Sequence, residues 1–261
     1  LSNEEAARNI LLEFDGINYA ADIWLNGRCV ATADQAKGAF RRFQYDVSDL
    51  VVAGENVLAV AVIPPQPGDF STGFMDWNPP APDRNMGLFR PVRLRFCRDV
   101  SIENPCVRTR VDRTTFAEAY LVVSAELVNH GDTSLSGVLD GVIEGIHFCQ
   151  DVRLQPHERA TVTLTADEHP LLRLANPRIW WSHDLGKPEL YGLELRFLVG
   201  SEVSDAQSVR FGVRDVADYR TPDGHRGFKI NGREVLIRGA GWTDDLLLAD
   251  TPETIAAELQ Y

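Results

Sequence analysis

The sequence of 261 residues lacks the features that mark many functional classes. It contains no Asn-x-Ser/Thr glycosylation sequon, no CxxC pair among its 4 cysteines, and no apolar run near the ~20 residues that span a bilayer. The motifs GxSxG, HExxH and GxxxxGK(S/T) are absent, and the 6 histidines are scattered without the spacing of metal ligands. We therefore expect no metal, no cofactor and no membrane insertion.

Acidic residues outnumber basic residues in this chain. With 38 Asp and Glu against 26 Lys and Arg, the formal net charge is −12 and the pI is near 4.9. Such a charge disfavours nucleic acid and anionic membrane surfaces as partners, whereas a neutral ligand is indifferent to it. The length suits roughly two domains with sizeable cores. The cellular compartment and the oligomeric state stay open at this stage.

The cysteines are expected to be scattered, buried free thiols. A chain of this size does not need disulfides to stabilise its core, although two disulfides remain the alternative. The four residues are Cys29, Cys97, Cys106 and Cys149.

The first hundred residues carry β-strand signals. "YAADIWLNGRCVA" alternates apolar and other residues and then turns at Asn26-Gly27, a strong hairpin signal because both residues tolerate positive φ. "ENVLAVAV" (55–62) indicates a strand buried on both faces, and "PVRLRF" (91–96) indicates a strand with one solvent-facing side. The pattern predicts a β-sandwich over residues 11–97.

A second block of short strands follows, separated by turn residues. Its rhythm is typical of an immunoglobulin-like sandwich of about 110 residues. The five predicted strands cover residues 119–131, 136–145, 158–166, 189–200 and 208–216. Together with the change of character after this block, the pattern predicts three domains, 1–102, 103–217 and 218–261.

The last segment predicts a hairpin and the beginning of a helix. "GFKINGREVLIRGAGW" turns at Asn231-Gly232. In "DTPETIAAELQY", Thr251 can cap a helix and Pro252 suits the first helical position. The apolar residues of this helix share one face, which a short helix cannot bury alone. We therefore expect a further domain to follow, so that this chain is part of a larger protein.

One stretch, "MDWNPPAPDRNMGLFRP" (75–91), is unusually rich in proline, aromatic and charged residues for a loop. It contains Asp76 and Asp83, while Asp244 and Asp245 lie near the C-terminus. Two of these four carboxylates could form an acid/base pair for glycoside hydrolysis. Alternatively, the first two brace the loop through turn hydrogen bonds and the last two cap a turn. The residues alone leave both interpretations open.

Several stretches together resemble glycoside hydrolase family 2. "LLEFDGINYAADIWLNG" (11–27) is similar to the signature of that family's sugar-binding domain, and "DVSDLVVAGENVLAVAV" (46–62) to the run that follows it. "NPRIWWSHDLGKPELYGLEL" (176–195) resembles the end of the family's immunoglobulin-like domain, and "FGVRDV" with "FKINGREVLIRGAGW" resembles the passage into its (β/α)8 barrel. The resemblance implies an all-β chain with three parts. These are a jelly-roll, galactose-binding-like sandwich without its first strands, an immunoglobulin-like sandwich, and the truncated start of a TIM barrel.

Two motifs narrow the resemblance to exo-β-D-glucosaminidases and β-mannosidase-like members. "DWNPPAPDRNMGLFR" and "GAGWTDDLLL" are similar to segments that line the sugar pocket of those enzymes, where the first sandwich lends a loop to the barrel. The resemblance implies that Asp76 accepts hydrogen bonds from substrate hydroxyls or an amine and that Trp77 packs the pocket wall. The residues it assigns to substrate binding are Asp76, Trp77, Asn78, Arg84, Asn85, Trp242 and Asp245.

Other roles compete with sugar binding for some of these side chains. Arg84 could instead pair with Asp83 or Asp76 and shape the loop. Trp180 and Trp181 could stack on a sugar, but we interpret them as packing residues of the immunoglobulin-like unit and of its contact with the next domain.

The resemblance implies a retaining exo-β-glycosidase that acts on β-glucosaminides or β-mannosides. Its two catalytic glutamates would come from later barrel strands, so no acid of this chain receives either role and the chain alone is expected to be inactive. The expected partner is a carbohydrate. The alternative is a carbohydrate-binding or adhesion module of two sandwiches without hydrolase activity, which explains the strands and loop aromatics but not the barrel-like tail.

Overall fold

The computed structural model describes residues 1–71, 79, 81–239, 241 and 251–260. The chain divides into two compact units. The first contains residues 1–96 and the segment 240–261, and the second contains residues 97–239.

The first unit is built from two three-stranded sheets. A one-turn helix, whose first turn is closed by a capping box between Ser2 and Glu5, precedes the strands. The elements are α1 (Asn3–Ala6), β1 (Asn9–Phe14), β2 (Ala20–Leu25), β3 (Arg28–Ala31), β4 (Phe43–Asp46), β5 (Leu58–Ile63) and β6 (Val92–Cys97), the last of which ends at the unit boundary. One sheet has the order β4-β1-β6 and the other the order β3-β2-β5.

The core of this unit lies between the inward faces of the strands. In β2 the side chains of Ala21, Ile23 and Leu25 are buried, so the predicted alternation is confirmed. The hairpin between β2 and β3 is also confirmed, since Asn26 and Gly27 adopt φ of 51° and 78°.

The prediction that residues 55–62 form a strand buried on both faces is wrong. In β5, Val60 and Val62 pack against the core, but Ala59, Ala61 and Ile63 on the opposite face are exposed, Ile63 by 41%. A run of apolar residues fits either a one-faced or a two-faced strand, and periodicity cannot separate the two. In β6, too, Val92 packs inward while apolar Leu94 is exposed.

The second unit is a β-sandwich of the immunoglobulin-like type with a small third sheet. Its strands are β7 (Val100–Val111), β8 (Glu118–Asn129), β9 (Leu135–Ile143), β10 (Ile146–Leu154), β11 (Arg159–Thr165), β12 (Arg173–Ala175), β13 (Tyr191–Val199), β14 (Glu202–Phe211), β15 (Val216–Arg220), β16 (Arg226–Ile230) and β17 (Arg233–Val235), with a 3-10 turn at Pro170–Leu172. One sheet has the order β10-β9-β13-β14. In the other, β8 pairs with β7 on one side and with β11 and β12 on the other.

Alternating burial explains why these residues form a sandwich. Every second residue of β8 is buried, and Phe197 of β13 is fully buried opposite it in the same core cluster. Strands are found in all five stretches predicted for this unit, whereas β7, β10, β12 and β15 were not predicted. The long β7 runs from Val100 to Val111 across the predicted domain limit at 102/103, and the three-domain division stays a prediction.

The last part of the described chain contains the third sheet and a second helix. β15, β16 and β17 pair in that order, and the predicted turn is confirmed because Asn231 and Gly232 adopt φ of 51° and 81°. Helix α2 (Pro252–Gln260) is capped by Thr251, whose Oγ1 accepts a hydrogen bond of 3.1 Å from the amide of Thr254. Whether these elements begin a TIM barrel stays a prediction.

The four cysteines are free, as predicted, but their expected burial is wrong for three of them. Cys97 is buried, while Cys29, Cys106 and Cys149 are exposed. Each of these three lies on a strand, where every second side chain faces outward, so its exposure follows from register and not from residue type.

Candidate functional site

Three loops meet around the short connection between β1 and β2, at Asn18 and Tyr19. We call this place the Asn18 junction. The amide of Gly38 donates to the carbonyl of Tyr19 at 2.9 Å, and the amide of Tyr19 donates to the carbonyl of Ile63 at 3.0 Å. The amide of Asn18 donates to the carbonyl of Gly87 at 2.9 Å, and the reverse bond is 2.8 Å. The loops 37–42, 64–71 and 81–88 are therefore brought to one end of the first unit.

The loop 81–88 is the C-terminal part of the proline-rich stretch, and it folds as a tight turn. Arg84 and Asn85 adopt φ of 57° and 53°, a left-handed conformation that asparagine tolerates better than most residues. Asp83 stabilises the turn, because its Oδ1 accepts a hydrogen bond of 2.9 Å from the amide of Asn85 and its carbonyl accepts one from Met86. The interpretation of Asp83 as a bracing residue is confirmed.

The end of this stretch runs back along the β1–β2 connection. The amide of Asp15 donates to the carbonyl of Pro91 at 3.1 Å. Gly16 allows this approach, since a Cβ at this position would lie 2.9 Å from the ring of Phe89. The glycine of the sequence "FDGIN" is therefore explained by its close contact with Phe89, at the end of the proline-rich stretch.

Two exposed aromatic side chains lie at the junction. Phe40 and Phe70 are 57% and 80% exposed, and their ring centroids are 5.0 Å apart. The Arg84 guanidinium donates to the carbonyl of Pro65 at 3.2 Å, which ties the turn to the loop that contains Phe70. An aromatic pair of this kind offers an apolar surface beside polar backbone groups.

Of the seven residues assigned to substrate binding, the structure describes two, and it brings both to the Asn18 junction. Arg84 is exposed, and among the described residues its guanidinium contacts the Pro65 carbonyl and forms no ion pair with Asp83. Asn85 is half-buried, and its carbonyl accepts a hydrogen bond of 2.6 Å from Nδ2 of Asn18. The other five lie outside the described residues, so their assignment stays a prediction. They are Asp76, Trp77, Asn78, Trp242 and Asp245, and Asp244 lies outside as well.

Sequence reasoning missed Asn18, Phe40 and Phe70. An asparagine between two buried apolar runs was the signal that could have indicated Asn18, because a polar residue there must find a partner when the chain folds. The aromatic pair had no such signal, since its two members are 30 residues apart in sequence.

The "NPRIWW" segment has a structural role in the second unit. The guanidinium of Arg178 donates to both carboxylate oxygens of Glu144 at 2.7 and 2.8 Å, and this lowers the pKa of Glu144 below its usual value. The carbonyl of Trp180 accepts a hydrogen bond of 2.9 Å from Asn231, and the ring of Trp181 contacts that of Phe116. Both tryptophans are half-buried, in agreement with their interpretation as packing residues.

The second unit carries two open grooves on its surface. One, of about 370 Å³, is lined by Arg108, Arg110 and Tyr120 together with the turn after β11. The other, of about 410 Å³, lies between β9 and β10 and the end of β13. Of the residues assigned to substrate binding, the two that the structure describes, Arg84 and Asn85, line neither groove.

Within the described part of the chain, no three His, Cys, Asp or Glu residues are grouped as metal ligands. The helices found in that part are also too short to cross a bilayer, since they contain 4 and 9 residues.

Each of the two units matches the profile of a known protein family. The profile for the glycosyl hydrolase 2 galactose-binding domain-like family matches residues 1–69, and the profile for glycosyl hydrolases family 2 matches residues 100–214. The chain belongs to glycoside hydrolase family 2. The resemblance found in the sequence is thereby confirmed.

Among its relatives, the chain is similar to an exo-beta-D-glucosaminidase of Streptomyces avermitilis, with 37% identity over 96% of this chain and 28% of the relative. It is also similar to the mannosylglycoprotein endo-beta-mannosidase of Lilium longiflorum, with 32% identity over 92% of this chain and 28% of the relative. Among solved structures, it is similar to the exo-chitosanase CsxA of Amycolatopsis orientalis, alone and in complex with PNP-beta-D-glucosamine, with 35% identity and a TM-score of 0.92. Those matches cover 100% of this chain and 30% of CsxA.

The chain thus spans about three tenths or less of each of these three proteins. The expected succession of a galactose-binding-like sandwich and an immunoglobulin-like sandwich is confirmed by the family profiles and the structural match.

Proposed function

We propose that this chain is the non-catalytic N-terminal portion of a retaining exo-β-glycosidase that hydrolyses β-linked glucosaminides. The observation that carries the proposal is the similarity over the whole chain to CsxA, an exo-chitosanase solved with PNP-beta-D-glucosamine, at 35% identity and a TM-score of 0.92. Five relatives that are 29% to 37% identical are also exo-beta-D-glucosaminidases.

In this proposal the proline-rich loop of the first unit lines the sugar pocket. Asp76 accepts hydrogen bonds from the hydroxyls or the amine of the non-reducing sugar, and Trp77 covers the apolar face of its ring. Asn78, Arg84 and Asn85 complete this side of the pocket. The anchoring of residues 81–88 at the Asn18 junction supports this role, since a binding loop must be held in place before substrate arrives.

Trp242 and Asp245 are proposed to meet the substrate from the first strand of the catalytic barrel. Active sites of such barrels lie at the C-terminal ends of the strands, where these residues would stand. The catalytic glutamates belong to later strands of the complete protein, and the carbohydrate is the partner of the assembled site.

The charge of the chain favours a glucosaminide over a neutral sugar as substrate. A formal net charge of −12 attracts a polycationic chitosan-like chain, whereas it does not affect the approach of a mannoside. The similarity to the lily endo-beta-mannosidase keeps β-mannosides as the second candidate.

Kinetics of the complete protein on a panel of aryl β-glycosides test the proposal. We expect the highest kcat/KM with the β-glucosaminide, and we expect kcat/KM on a chitosan oligomer to fall as ionic strength rises, because salt screens the attraction. If kcat/KM is highest with the β-mannoside, β-mannosides replace β-glucosaminides as the assigned substrate. Absence of turnover on every aryl glycoside, together with micromolar sugar binding by residues 1–261, would favour the non-catalytic carbohydrate-binding module instead.

A further inference from the structure

Asn18 is fully buried, although it is polar and lies at a loop junction. Its Nδ2 donates a hydrogen bond of 2.6 Å to the carbonyl of Asn85. Its Oδ1 has no hydrogen-bond partner among the described residues. An apolar side chain of the same size could not donate this bond, so the bond to Asn85 is a property that favours asparagine here.

Three hydrogen bonds join Asn18 to the turn at residues 85–87. Two connect its backbone to that of Gly87 as a single antiparallel bridge, and the third is the side-chain bond to Asn85. The two sides of this contact are 67 residues apart in sequence. The position of the turn relative to the sandwich therefore depends on one buried residue, in addition to the packing of Phe89 over Gly16.

The turn is the point at which the proline-rich loop returns to the sandwich. The Arg84 guanidinium also donates to the carbonyl of Pro65, in the loop that precedes residues 72–78. Both flanks of the proposed sugar-contacting residues are thus attached to each other and, through Asn18, to the base of β2. Arg84 and Asn85, two of the residues assigned to substrate binding, lie on this turn, so a shift of the attachment moves them without changing either side chain.

We propose that Asn18 is a positioning residue for substrate binding, which sets the place of the turn at residues 83–88 through its hydrogen bond to Asn85. This inference rests on the proposed function. It assigns to Asn18 no contact with the substrate.

The test uses the complete protein and three variants. Asn18→Asp keeps the shape of the side chain but replaces the donor by a carboxylate that faces the Asn85 carbonyl. Asn129→Ala is the matched control, because Asn129 is equally buried and donates to the carbonyls of Thr133 and Gln155 in the second unit. Asp83→Ala removes the brace of the same turn from an exposed position, so it reports on the turn even if the Asn18 variant does not fold.

Two quantities are measured, the kinetic constants on an aryl β-glucosaminide and the hydrogen–deuterium exchange of the peptide that contains residues 83–88. We expect Asn18→Asp and Asp83→Ala to raise KM about tenfold, with kcat changed by less than about threefold, because the glycon is held less well while the catalytic glutamates are untouched. We expect exchange in residues 83–88 to become faster in both variants. Asn129→Ala should change neither quantity, although it lowers the thermal unfolding midpoint.

The outcomes separate this inference from the proposed function. If the wild-type protein does not hydrolyse the glucosaminide, the proposed function fails, while faster exchange in Asn18→Asp would still establish the anchoring role. The positioning role is refuted if the wild type is active and the KM of Asn18→Asp lies within about twofold of the wild-type KM. It is also refuted if Asn18→Asp and Asn129→Ala change KM by the same factor. Unchanged exchange in residues 83–88 would refute it equally.

Discussion

Replacement of Gly16 by alanine tests the packing that holds the proline-rich stretch against the sandwich. The new Cβ would lie 2.9 Å from the ring of Phe89 and 3.1 Å from the Cβ of Arg90. Gly16 is not among the residues with positive φ, so the backbone itself accepts alanine. The effect is then one of overpacking, for which we expect a loss of about 1–3 kcal/mol in the free energy of unfolding of the first unit.

Gly192→Ala is the matched control, because no atom lies within 4 Å of its added Cβ and its φ is not positive. We expect this variant to be neutral or more stable by up to about 1 kcal/mol, since alanine restricts the unfolded chain. Urea titration followed by pulsed hydrogen exchange and mass spectrometry reports the two units separately. A Gly16→Ala variant as stable as wild type, with unchanged exchange in residues 85–91, would show that Phe89 moves away freely and would refute the reasoning.

Three further predictions follow from the structure. Gly137→Ala should destabilise the second unit by about 1–3 kcal/mol in chemical denaturation. The reason is that the added Cβ would clash with the Leu198 carbonyl and would lie 2.7 Å from the ring of Phe197. A Gly137→Ala variant as stable as Gly192→Ala would contradict this prediction. Glu144→Gln should lower the thermal unfolding midpoint at pH 7, but it should have no effect on the midpoint at pH values below the folded pKa of Glu144. Because folding lowers this pKa, the carboxylate stabilises the fold at pH values above its unfolded pKa near 4.5, and this stabilisation is lost as the pH falls through the folded pKa. A difference in midpoint that is equally large at every pH would exclude this origin. In calorimetric titration, residues 1–261 alone should bind glucosamine, mannose and galactose with Kd of about 1 mM or weaker, and they should hydrolyse no aryl glycoside.

Local signals account for the parts of the fold that the sequence predicted. The hairpins at Asn26-Gly27 and Asn231-Gly232 depend on two adjacent residues that adopt positive φ, and this preference is visible in the sequence. The capping of α2 by Thr251 is equally local. The strand predicted at residues 119–131 is also a local feature, and β8 (Glu118–Asn129) is found there.

Properties that depend on distant parts of the chain could not be predicted. The exposure of one face of β5 depends on what lies opposite it, and the exposure of Cys106 and Cys149 depends on strand register. The hydrogen bond from Asn18 to Asn85 joins residues that no local pattern relates. At the candidate site, the sequence indicated the proline-rich stretch and the bracing role of Asp83, but not the junction that holds the stretch in place.

The family resemblance and the structure contribute different parts of the account. The resemblance assigned the sugar-contacting residues, most of which lie outside the described residues. The structure shows how the C-terminal flank of that segment is attached, since the turn at residues 83–87 is closed by Asp83 and bonded to the sandwich through Asn18. A loop ordered in advance binds its ligand at a smaller cost in conformational entropy.

The central claim is that the proline-rich loop of the first unit holds the non-reducing sugar of the substrate. The most direct measurement is kcat/KM of the complete protein on an aryl β-glucosaminide after Asp76→Asn, with Asp34→Asn at an exposed position of the same unit as control. Loss of a hydrogen bond to a charged group predicts a decrease of about 10- to 100-fold for Asp76→Asn and no change for the control. Equal kcat/KM for the two variants would contradict the account.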